Sequence, residues 1–137
     1  MKNTMNWNFD NSYSRLSDAF KEHIKPIAVK NPELVIMNKD LAEELNLDFS
    51  KIDTNELAAL FTGNILPEGS NAIAQAYAGH QFGHFTMLGD GRAVLIGEHL
   101  TKNNERYDIQ FKGSGKTAFS RNGDGRAALG PMLREYI

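Results

Sequence analysis

Residues 88–137 read LGDGRAVLIGEHLTKNNERYDIQFKGSGKTAFSRNGDGRAALGPMLREYI. This pattern predicts a strand, a tight turn, a second strand, a loop, a third strand, a glycine-rich loop and the start of a helix. Asp90-Gly91 lies between apolar runs and predicts a hairpin turn, because glycine adopts positive φ without steric cost. The apolar run at 93–97 is typical of a buried strand. Polar and apolar residues then alternate over 107–112, which predicts a strand with one buried face.

Lys112 ends this alternating segment and is a candidate anion ligand. Tyr107, Ile109 and Phe111 share one face of the predicted strand. Lys112 is therefore the last residue on the other face before the glycine loop at 113–115. Such a loop can point backbone N–H groups at a phosphate, and a lysine ammonium adds a point charge. An ordinary surface lysine is the alternative, because lysines are mostly exposed; Lys112 alone leaves both interpretations open.

The tripeptide Gly115-Lys116-Thr117 matches the end of the P-loop pattern G-x-x-x-x-G-K-[ST]. The first glycine of that pattern would fall at position 110, which is Gln110 inside the alternating strand. A P-loop also runs directly into a helix whose N-terminus faces the phosphates. Thr117 is instead followed by AFSRNGDG, which has no helical stripe. A P-loop NTPase is therefore disfavoured, although it stays an alternative.

The upstream part of the chain predicts short helices and strands. Apolar residues at helical spacing, polar N-cap residues and closing glycines indicate the helices. His80 and His84 are four residues apart, but neighbouring glycines argue against a helix that could join them at a metal, so hydrogen bonding is their expected role. The predicted helices cover 13–24, 39–48, 55–63 and 71–78, and the predicted strands cover 34–37 and 82–88.

Composition excludes several classes of protein. The chain has 137 residues, of which 41% are hydrophobic, enough for one small domain. It has no cysteine, so a disulfide framework and a thiolate site are excluded. The net charge of −2 comes without a basic patch, and no apolar run has the length of a membrane helix or the character of a signal peptide. We therefore expect a cytoplasmic protein with no nucleic-acid or membrane partner.

Other charged residues near the glycines each allow two interpretations. Arg92 is either an exposed edge charge or a guanidinium presented to phosphate. Asp124-Gly125 is either a solvated turn or part of the same site. Glu135 alone would be a carboxylate on a helix surface. Lys112 and Glu135 nevertheless lie in the order, strand and then helix, of the ion pair that fixes the phosphate-binding lysine in kinase-like folds.

Taken together, these motifs resemble those of one protein family. The chain is similar to the selenoprotein O (YdiU) family through YAGHQFGHF, LGDGRAVLIGE, FKGSGKT and SRNGDGRAALGPMLREYI, in this order and spacing. The similarity extends from FDNSY at 9–13 to the last residue. Family members are several times longer, so the chain is expected to be an amino-terminal fragment that ends within a helix.

The resemblance implies a fold class and a division of the chain. The expected class is α+β, the amino-terminal part of a protein-kinase-like fold of the pseudokinase type, with an antiparallel sheet and flanking helices. Residues 1–75 would form an amino-terminal helical extension packed on the lobe. Residues 76–137 would form part of a kinase-like N-lobe that carries the glycine-rich nucleotide-binding motifs.

The resemblance also implies site residues. Glu135 matches the family's helix glutamate, so Lys112 and Glu135 would form the supporting ion pair. The family's catalytic aspartate and its metal-binding asparagine and aspartate lie beyond residue 137. No catalytic residue and no metal ligand is therefore expected within this chain. The implied nucleotide contacts are Gly89, Gly91, Arg92, Lys112, Asp124 and Gly125.

The reaction that the resemblance implies is AMPylation of proteins. A Ser, Thr or Tyr hydroxyl of a protein substrate would attack the α-phosphorus of ATP, and pyrophosphate would leave. Mg²⁺ or Mn²⁺ would be the required metal ion. The fragment alone would be inactive, because the base and the metal ligands are missing. The alternatives are a P-loop-type NTPase and a non-catalytic nucleotide-binding or regulatory module.

Overall fold

The computed structural model describes residues 5–136, which form an antiparallel five-stranded sheet with three short α-helices. The α+β class predicted from the sequence is confirmed. The helices are α1 (Lys39–Glu44), α2 (Thr54–Phe61) and α3 (Leu129–Tyr136), with a 3₁₀ turn at Tyr13–Arg15. The strands are β1 (Lys21–His23), β2 (Ile73–Gln81), β3 (His84–Gly89), β4 (Ala93–Leu100) and β5 (Arg106–Lys112).

Strand β2 belongs to two antiparallel ladders. Its first three residues pair with β1, and the first of them, Ile73, also faces Leu95 of β4. From Ala76 to Gln81 the strand pairs with β3 instead. β5 lies beside β4, which gives the order β1-β2-β4-β5 with β3 attached to β2 alone. Residues 76–89 therefore form a two-stranded extension of the sheet, called the arm below.

Side-chain caps fix the two upstream helices. The Asn38 side-chain oxygen accepts a hydrogen bond of 3.0 Å from the Leu41 N–H at the start of α1. One Asp53 carboxylate oxygen accepts from two backbone N–H groups at the start of α2, at 2.8 and 3.0 Å. Left-handed residues follow both helices, Asn46 with φ 59° and Gly63 with φ 80°. Both predicted helices are confirmed, the first with fewer residues than expected.

The main core lies between these helices and one face of β5. Tyr107 and Ile109 of β5 pack against it, as the alternation over 107–112 predicted. Fully burying one large apolar side chain stabilises a fold by about 1.5–3 kcal/mol. The helices therefore hold β5, and with it Lys112, in place. The buried members of this core are Met5, Trp7, Leu45, Leu47, Phe49, Leu57 and Leu60.

Two polar side chains of β4 anchor the amino-terminal segment. The buried Glu98 carboxylate accepts hydrogen bonds from the Ser12 hydroxyl and the Tyr13 N–H, both of 2.6 Å. His99 is 1% exposed, and its Nδ1 accepts from the Asn8 N–H at 3.1 Å. Its other nitrogen, Nε2, therefore carries the proton and donates to a main-chain carbonyl of the core at 2.8 Å. Glu98 and His99 thus have structural roles.

A glycine in β4 makes room for an aromatic ring. Phe9 stacks on Trp7, with ring centroids 5.3 Å apart, and its ring occupies the space where a Cβ of Gly97 would lie. The ladder between β4 and β5 is irregular at the same place, between Leu95 and Gly97. A strand glycine at such an irregularity commonly marks the close approach of another segment.

The helix predicted over 13–24 is wrong. The chain there forms a 3₁₀ turn and then β1, which pairs with β2. Sheet pairing outweighs the helical spacing of Leu16 and Phe20, which remain 45% and 51% exposed. The strand predicted at 34–37 is also wrong, because these residues have no ladder partner and lie in an extended connection before α1.

The helix predicted over 71–78 is wrong as well, because these residues belong mostly to β2. Four alanines favour a helix by local propensity. Ile73 and Ala74 are nevertheless 0% exposed, at the place where β2 lies between β1 and β4. Burial between two neighbouring strands therefore outweighs the local preference for a helix.

The hairpin predicted at Asp90-Gly91 is wrong in its location. β3 pairs with β2, and the hairpin turn is Phe82-Gly83, with φ values of 58° and 79°. Two successive positive φ values are the signature of a type I′ turn. The His84 Nδ1 lies 3.1 Å from the Phe82 carbonyl oxygen, within hydrogen-bond distance inside this turn. Asp90-Gly91 instead connects two strands that do not pair with each other.

The remaining predicted elements of the carboxy-terminal half are confirmed. Strands are present where the patterns at 93–97 and 107–112 predicted them, the strand predicted at 82–88 begins two residues later at His84, and α3 begins at Leu129. The assignment to a protein-kinase-like fold and the division into 1–75 and 76–137 stay predictions. Within residues 5–136, each helix is too short and too polar to cross a lipid bilayer.

Candidate functional site

A cleft of about 260 Å³ lies beside the connection between β3 and β4. The arm forms one wall of this cleft through Tyr77, Gln81 and Leu88, which share one face of the β2–β3 ribbon. The end of β5 contributes Lys112. The rest of the lining comes from the connection Gly89–Ala93 and from Phe119 and Arg121 in the glycine-rich loop.

Asp90 fixes the connection between β3 and β4 against β2. Its backbone N–H donates to the Gln75 carbonyl at 2.9 Å, and its carboxylate accepts from the Gln75 N–H at 3.0 Å. The side chain is 6% exposed, and this burial raises the pKa of the Asp90 carboxyl. The backbone N–H and the carboxylate of Asp90 together bond both backbone groups of Gln75, which keeps the flanking glycines in a fixed position.

Gly89 and Gly91 are glycines because another segment packs directly on them. A Cβ at Gly89 would lie 2.5 Å from the Phe119 ring, and one at Gly91 would lie 3.0 Å from the Phe119 carbonyl oxygen. Neither glycine has a positive φ, so close approach and not backbone conformation requires them. Residues 117–121, which include Phe119, are called the flap below.

Two hydroxyl groups latch the flap to this connection. The Thr117 hydroxyl donates to the Asp90 carbonyl at 2.5 Å, and the Ser120 hydroxyl donates to the Gly91 carbonyl, also at 2.5 Å. Each hydroxyl oxygen also accepts a backbone hydrogen bond within the flap, from Phe119 N–H and Thr117 N–H respectively. Each hydroxyl group therefore donates one hydrogen bond and accepts another, and the flap forms a compact loop.

This geometry differs from that of a P-loop. Thr117 is 5% exposed and bonded to protein atoms, so its hydroxyl is not free to bind a metal ion. No helix follows it directly, because α3 begins only at Leu129. The resemblance of Gly115-Lys116-Thr117 to a P-loop is therefore one of sequence alone.

Lys112 and Glu135 form an ion pair at the edge of the cleft. The Lys112 Nζ lies 2.5 Å from the Glu135 Oε1, between the end of β5 and the surface of α3. The two side chains are 35% and 55% exposed, so the pair adds little to the stability of the fold. It does fix the position of the ammonium group. The strand-and-helix order of the sequence predicted this pairing, and the structure places the two residues together.

Arg92 and Arg121 bring further positive charge to the cleft. Arg92 is exposed, and its guanidinium has no hydrogen-bond or ion-pair partner among residues 5–136. The guanidinium carbon of Arg121 lies 5.0 Å from the centroid of the Phe82 ring at the tip of the arm. The cleft therefore contains one paired ammonium and two guanidinium groups, which is suited to a polyanion.

Comparison with known proteins decides the family. The family described as "Protein adenylyltransferase SelO" matches residues 3–137. The chain belongs to the SelO family. The prediction from the motifs is thus confirmed over almost the whole chain.

Curated relatives in the SelO family include three bacterial proteins named "Protein nucleotidyltransferase YdiU". The protein of Pelagibacter ubique is 75% identical over 134 residues, which cover 98% of this chain and 28% of the relative. The proteins of Nitrosococcus oceani and Anoxybacillus flavithermus are 64% and 61% identical, over 96% of this chain and 27% and 28% of the relatives. The chain spans little more than a quarter of the length of these relatives.

The structure brings together four of the six nucleotide contacts that the SelO resemblance implied. Gly89, Gly91, Arg92 and Lys112 line one cleft. Asp124 and Gly125 are not part of that lining.

Asp124 and Gly125 lie where the glycine-rich loop folds back on itself. Asp124 accepts a hydrogen bond of 2.9 Å from the Arg126 N–H, and the Gly125 carbonyl accepts one of 3.2 Å from the Gly115 N–H. Gly125 has φ 69°, and a Cβ there would overlap the Gly115 backbone. Both residues thus have local structural roles here, and their contact with nucleotide stays a prediction.

Seven residues of the cleft lining were not among the site residues predicted from the sequence: Tyr77, Gln81, Leu88, Asp90, Ala93, Phe119 and Arg121. Tyr77 was assigned to a helix, although it forms a wall of the cleft from a strand together with Gln81. Phe119 and Arg121 were passed over because their loop has no periodic pattern. One signal was available for both: an aromatic and a cationic residue flank a serine inside a glycine-rich loop, in AFSRNG.

Proposed function

We propose that this chain forms part of the ATP site of a protein adenylyltransferase, within a protein of the family's usual length. The observation that carries the proposal is that Lys112, fixed by Glu135, shares one cleft with Arg92 and with two glycines, Gly89 and Gly91. A fixed ammonium, a guanidinium fork and closely approachable backbone are the features that bind a triphosphate. The family name and the names of the relatives support a protein as the acceptor.

The proposed reaction is the attack of a Ser, Thr or Tyr hydroxyl oxygen on the α-phosphorus of ATP. The bond between the α-phosphorus and the oxygen that bridges to the β-phosphate breaks, and pyrophosphate leaves with that oxygen. Lys112 and Arg92 would hold the triphosphate and balance its charge, so their contribution is positioning and electrostatic stabilisation. The acceptor hydroxyl would lose its proton to a base outside this chain.

A divalent metal ion, Mg²⁺ or Mn²⁺, belongs to this proposal as a counter-charge for the triphosphate. Within residues 5–136, no group of carboxylates and histidines is arranged to hold a metal ion. The described residues therefore do not fit a metal site by themselves, and we assign them no metal-binding role. The cytoplasmic location and the absence of nucleic-acid partners stay predictions.

The experiment that tests the proposal follows two labels in the full-length protein. ATP labelled at the α-phosphate should transfer its label to a protein substrate, and ATP labelled at the γ-phosphate should not. Transfer of the γ label would show a kinase, and no transfer with retained ATP binding would favour a non-catalytic nucleotide-binding module. A P-loop NTPase would instead release the γ label as free phosphate.

Two lysine variants locate the reaction in the cleft. Lys112→Ala should lower the transfer rate by about 10²–10³, the usual effect of removing one charge-stabilising donor. Lys116→Ala is the matched control, because Lys116 is an exposed lysine on the same loop that does not line the cleft. If Lys116→Ala abolished transfer while Lys112→Ala did not, the site would be wrongly placed.

A further inference from the structure

Arg121 has a position in the cleft that neither the sequence motifs nor the family explains. Its side chain lines the cleft and stacks on the Phe82 ring at 5.0 Å. Within residues 5–136 no carboxylate pairs with it, since the described ion pairs use other cations. A guanidinium stacked on a ring keeps the N–H groups at its edges free for an anion. The Arg121 guanidinium therefore has a fixed orientation, and no carboxylate of the described residues neutralises its charge.

The backbone of Arg121 is held in an unusual conformation. Its φ is 53°, in the left-handed region that glycine adopts easily and that is strained for other residues. The flap imposes this conformation, because the Ser120 hydroxyl is bonded to Gly91 and the Ser120 carbonyl accepts from the Gly123 N–H at 2.8 Å. A long cationic residue stands where glycine would be less strained, which is a common feature of functional sites.

The charges of the cleft favour an anionic ligand near Arg121. Glu135 pairs with the nearby ammonium of Lys112, but the guanidinium groups of Arg92 and Arg121 have no such partner in the described chain. Asp90 is the carboxylate in the lining, and it is buried and directed at the Gln75 N–H. The cleft therefore presents two positive charges without a carboxylate partner in the described chain, one on the β3–β4 connection and one on the flap.

We propose that Arg121 is a nucleotide-binding residue, whose guanidinium contacts the phosphates of ATP from the flap while Phe82 holds it in orientation. The inference rests on the proposed function, because it takes ATP to be the ligand of the cleft. It adds a phosphate ligand on the flap, a segment that carries none of the other predicted nucleotide contacts. It also gives the tip of the arm a role, since Phe82 is 68% exposed and contributes its ring to this contact.

The test compares variants of the full-length protein by ATP titration calorimetry and by the KM for ATP in α-label transfer. Arg121→Ala should raise the Kd and KM for ATP about tenfold, the effect of losing one charge-assisted hydrogen bond at a partly exposed site. Arg121→Lys should restore only part of the affinity, because an ammonium lacks the planar fork. Phe82→Leu should give an intermediate loss. Lys116→Ala removes an equal charge from the same loop and should leave both constants within twofold.

A third substitution of Arg121 separates binding from structure. Arg121→Gly removes the cation and also relieves the left-handed strain, so it should raise the melting temperature of the protein while it weakens ATP binding. A purely structural role for Arg121 predicts unchanged ATP affinity in both the Ala and the Gly variants. That result, together with loss of binding in Lys112→Ala, would overturn this inference and leave the proposed function intact. If Lys112→Ala also bound ATP like the wild type, the proposed function itself would be wrong.

Discussion

Replacing Thr117 by valine tests whether the flap depends on its hydroxyl latch. Valine has nearly the shape of threonine, so the change leaves no cavity at this buried position. It removes the hydroxyl that donates to the Asp90 carbonyl and accepts from the Phe119 N–H. Two backbone groups then lose their partners, one of them fully buried and the other partly buried.

The expected magnitude follows from those two groups. A buried polar group without a partner costs about 1–3 kcal/mol, and a partly buried one can regain water. We therefore expect the free energy of flap opening to fall by about 2 kcal/mol, a change of about 30-fold in the opening equilibrium. Thr117→Ser keeps the hydroxyl and should recover most of this loss.

Hydrogen exchange of the flap amides measures this change directly. The N–H groups of Ser120 and Gly123 bond within the loop, at 3.2 and 2.8 Å, and neither uses the Thr117 side chain. Both should exchange about 30-fold faster in Thr117→Val. Thr62→Val is the control, because the Thr62 hydroxyl bonds to a helix carbonyl that already accepts a backbone N–H. Flap amides that exchange within twofold of wild type in Thr117→Val would refute the latch.

Three further substitutions have expected outcomes. Gly97→Ala should lower the free energy of unfolding by about 1–3 kcal/mol, because its methyl group overlaps the Phe9 ring, and the melting temperature should fall accordingly. Gly79→Ala is the control and should leave the melting temperature unchanged, because there is open space around Gly79. Gly125→Ala should cost about 2 kcal/mol or more, since it combines a positive φ with backbone overlap, and limited proteolysis should then cut the glycine-rich loop faster. Burial raises the folded-state pKa of Asp90, so the ionised carboxylate destabilises the fold at neutral pH. Asp90→Asn should therefore raise the free energy of unfolding that urea titration measures at pH 7. This gain should shrink as the pH falls towards the ordinary carboxyl pKa of 3.8, because the wild-type carboxyl group then becomes protonated. An Asp90→Asn gain that grew at low pH would contradict the assigned direction.

The sequence predicted elements where local signals and tertiary packing agree. The apolar run of β4 and the alternation of β5 match their burial, and Asn38 and Asp53 cap the helices that their positions predicted. Predictions failed where the partner strand decides the structure. The alanines of β2 favour a helix, and pairing with β1, β3 and β4 makes this segment a strand.

The predictions for the candidate site succeeded and failed for the same reasons. Lys112 and Glu135 were predicted to pair because their order, one at the end of a strand and the other on the next helix, matches the ion pair of kinase-like folds. Asp90-Gly91 has the composition of a hairpin turn, but the strands on either side of it do not pair with each other, and Phe82-Gly83 forms the hairpin turn instead. Arg121 could not be placed from the sequence, because its position depends on side-chain hydrogen bonds from the flap to a connection about 30 residues earlier.

The anchoring of the amino-terminal segment has a consequence for biosynthesis. The backbone of Phe9 bridges to His99, 90 residues further along, and Asp10 forms an ion pair of 2.6 Å with Arg106. At a synthesis rate of about 5–20 residues per second, the ribosome needs roughly 5–20 s to make the strands that this segment contacts. Trp7 and Phe9 leave the ribosome before β4 and β5 and cannot complete their packing until those two strands have emerged. During that interval the nascent chain exposes two aromatic side chains that a chaperone can bind.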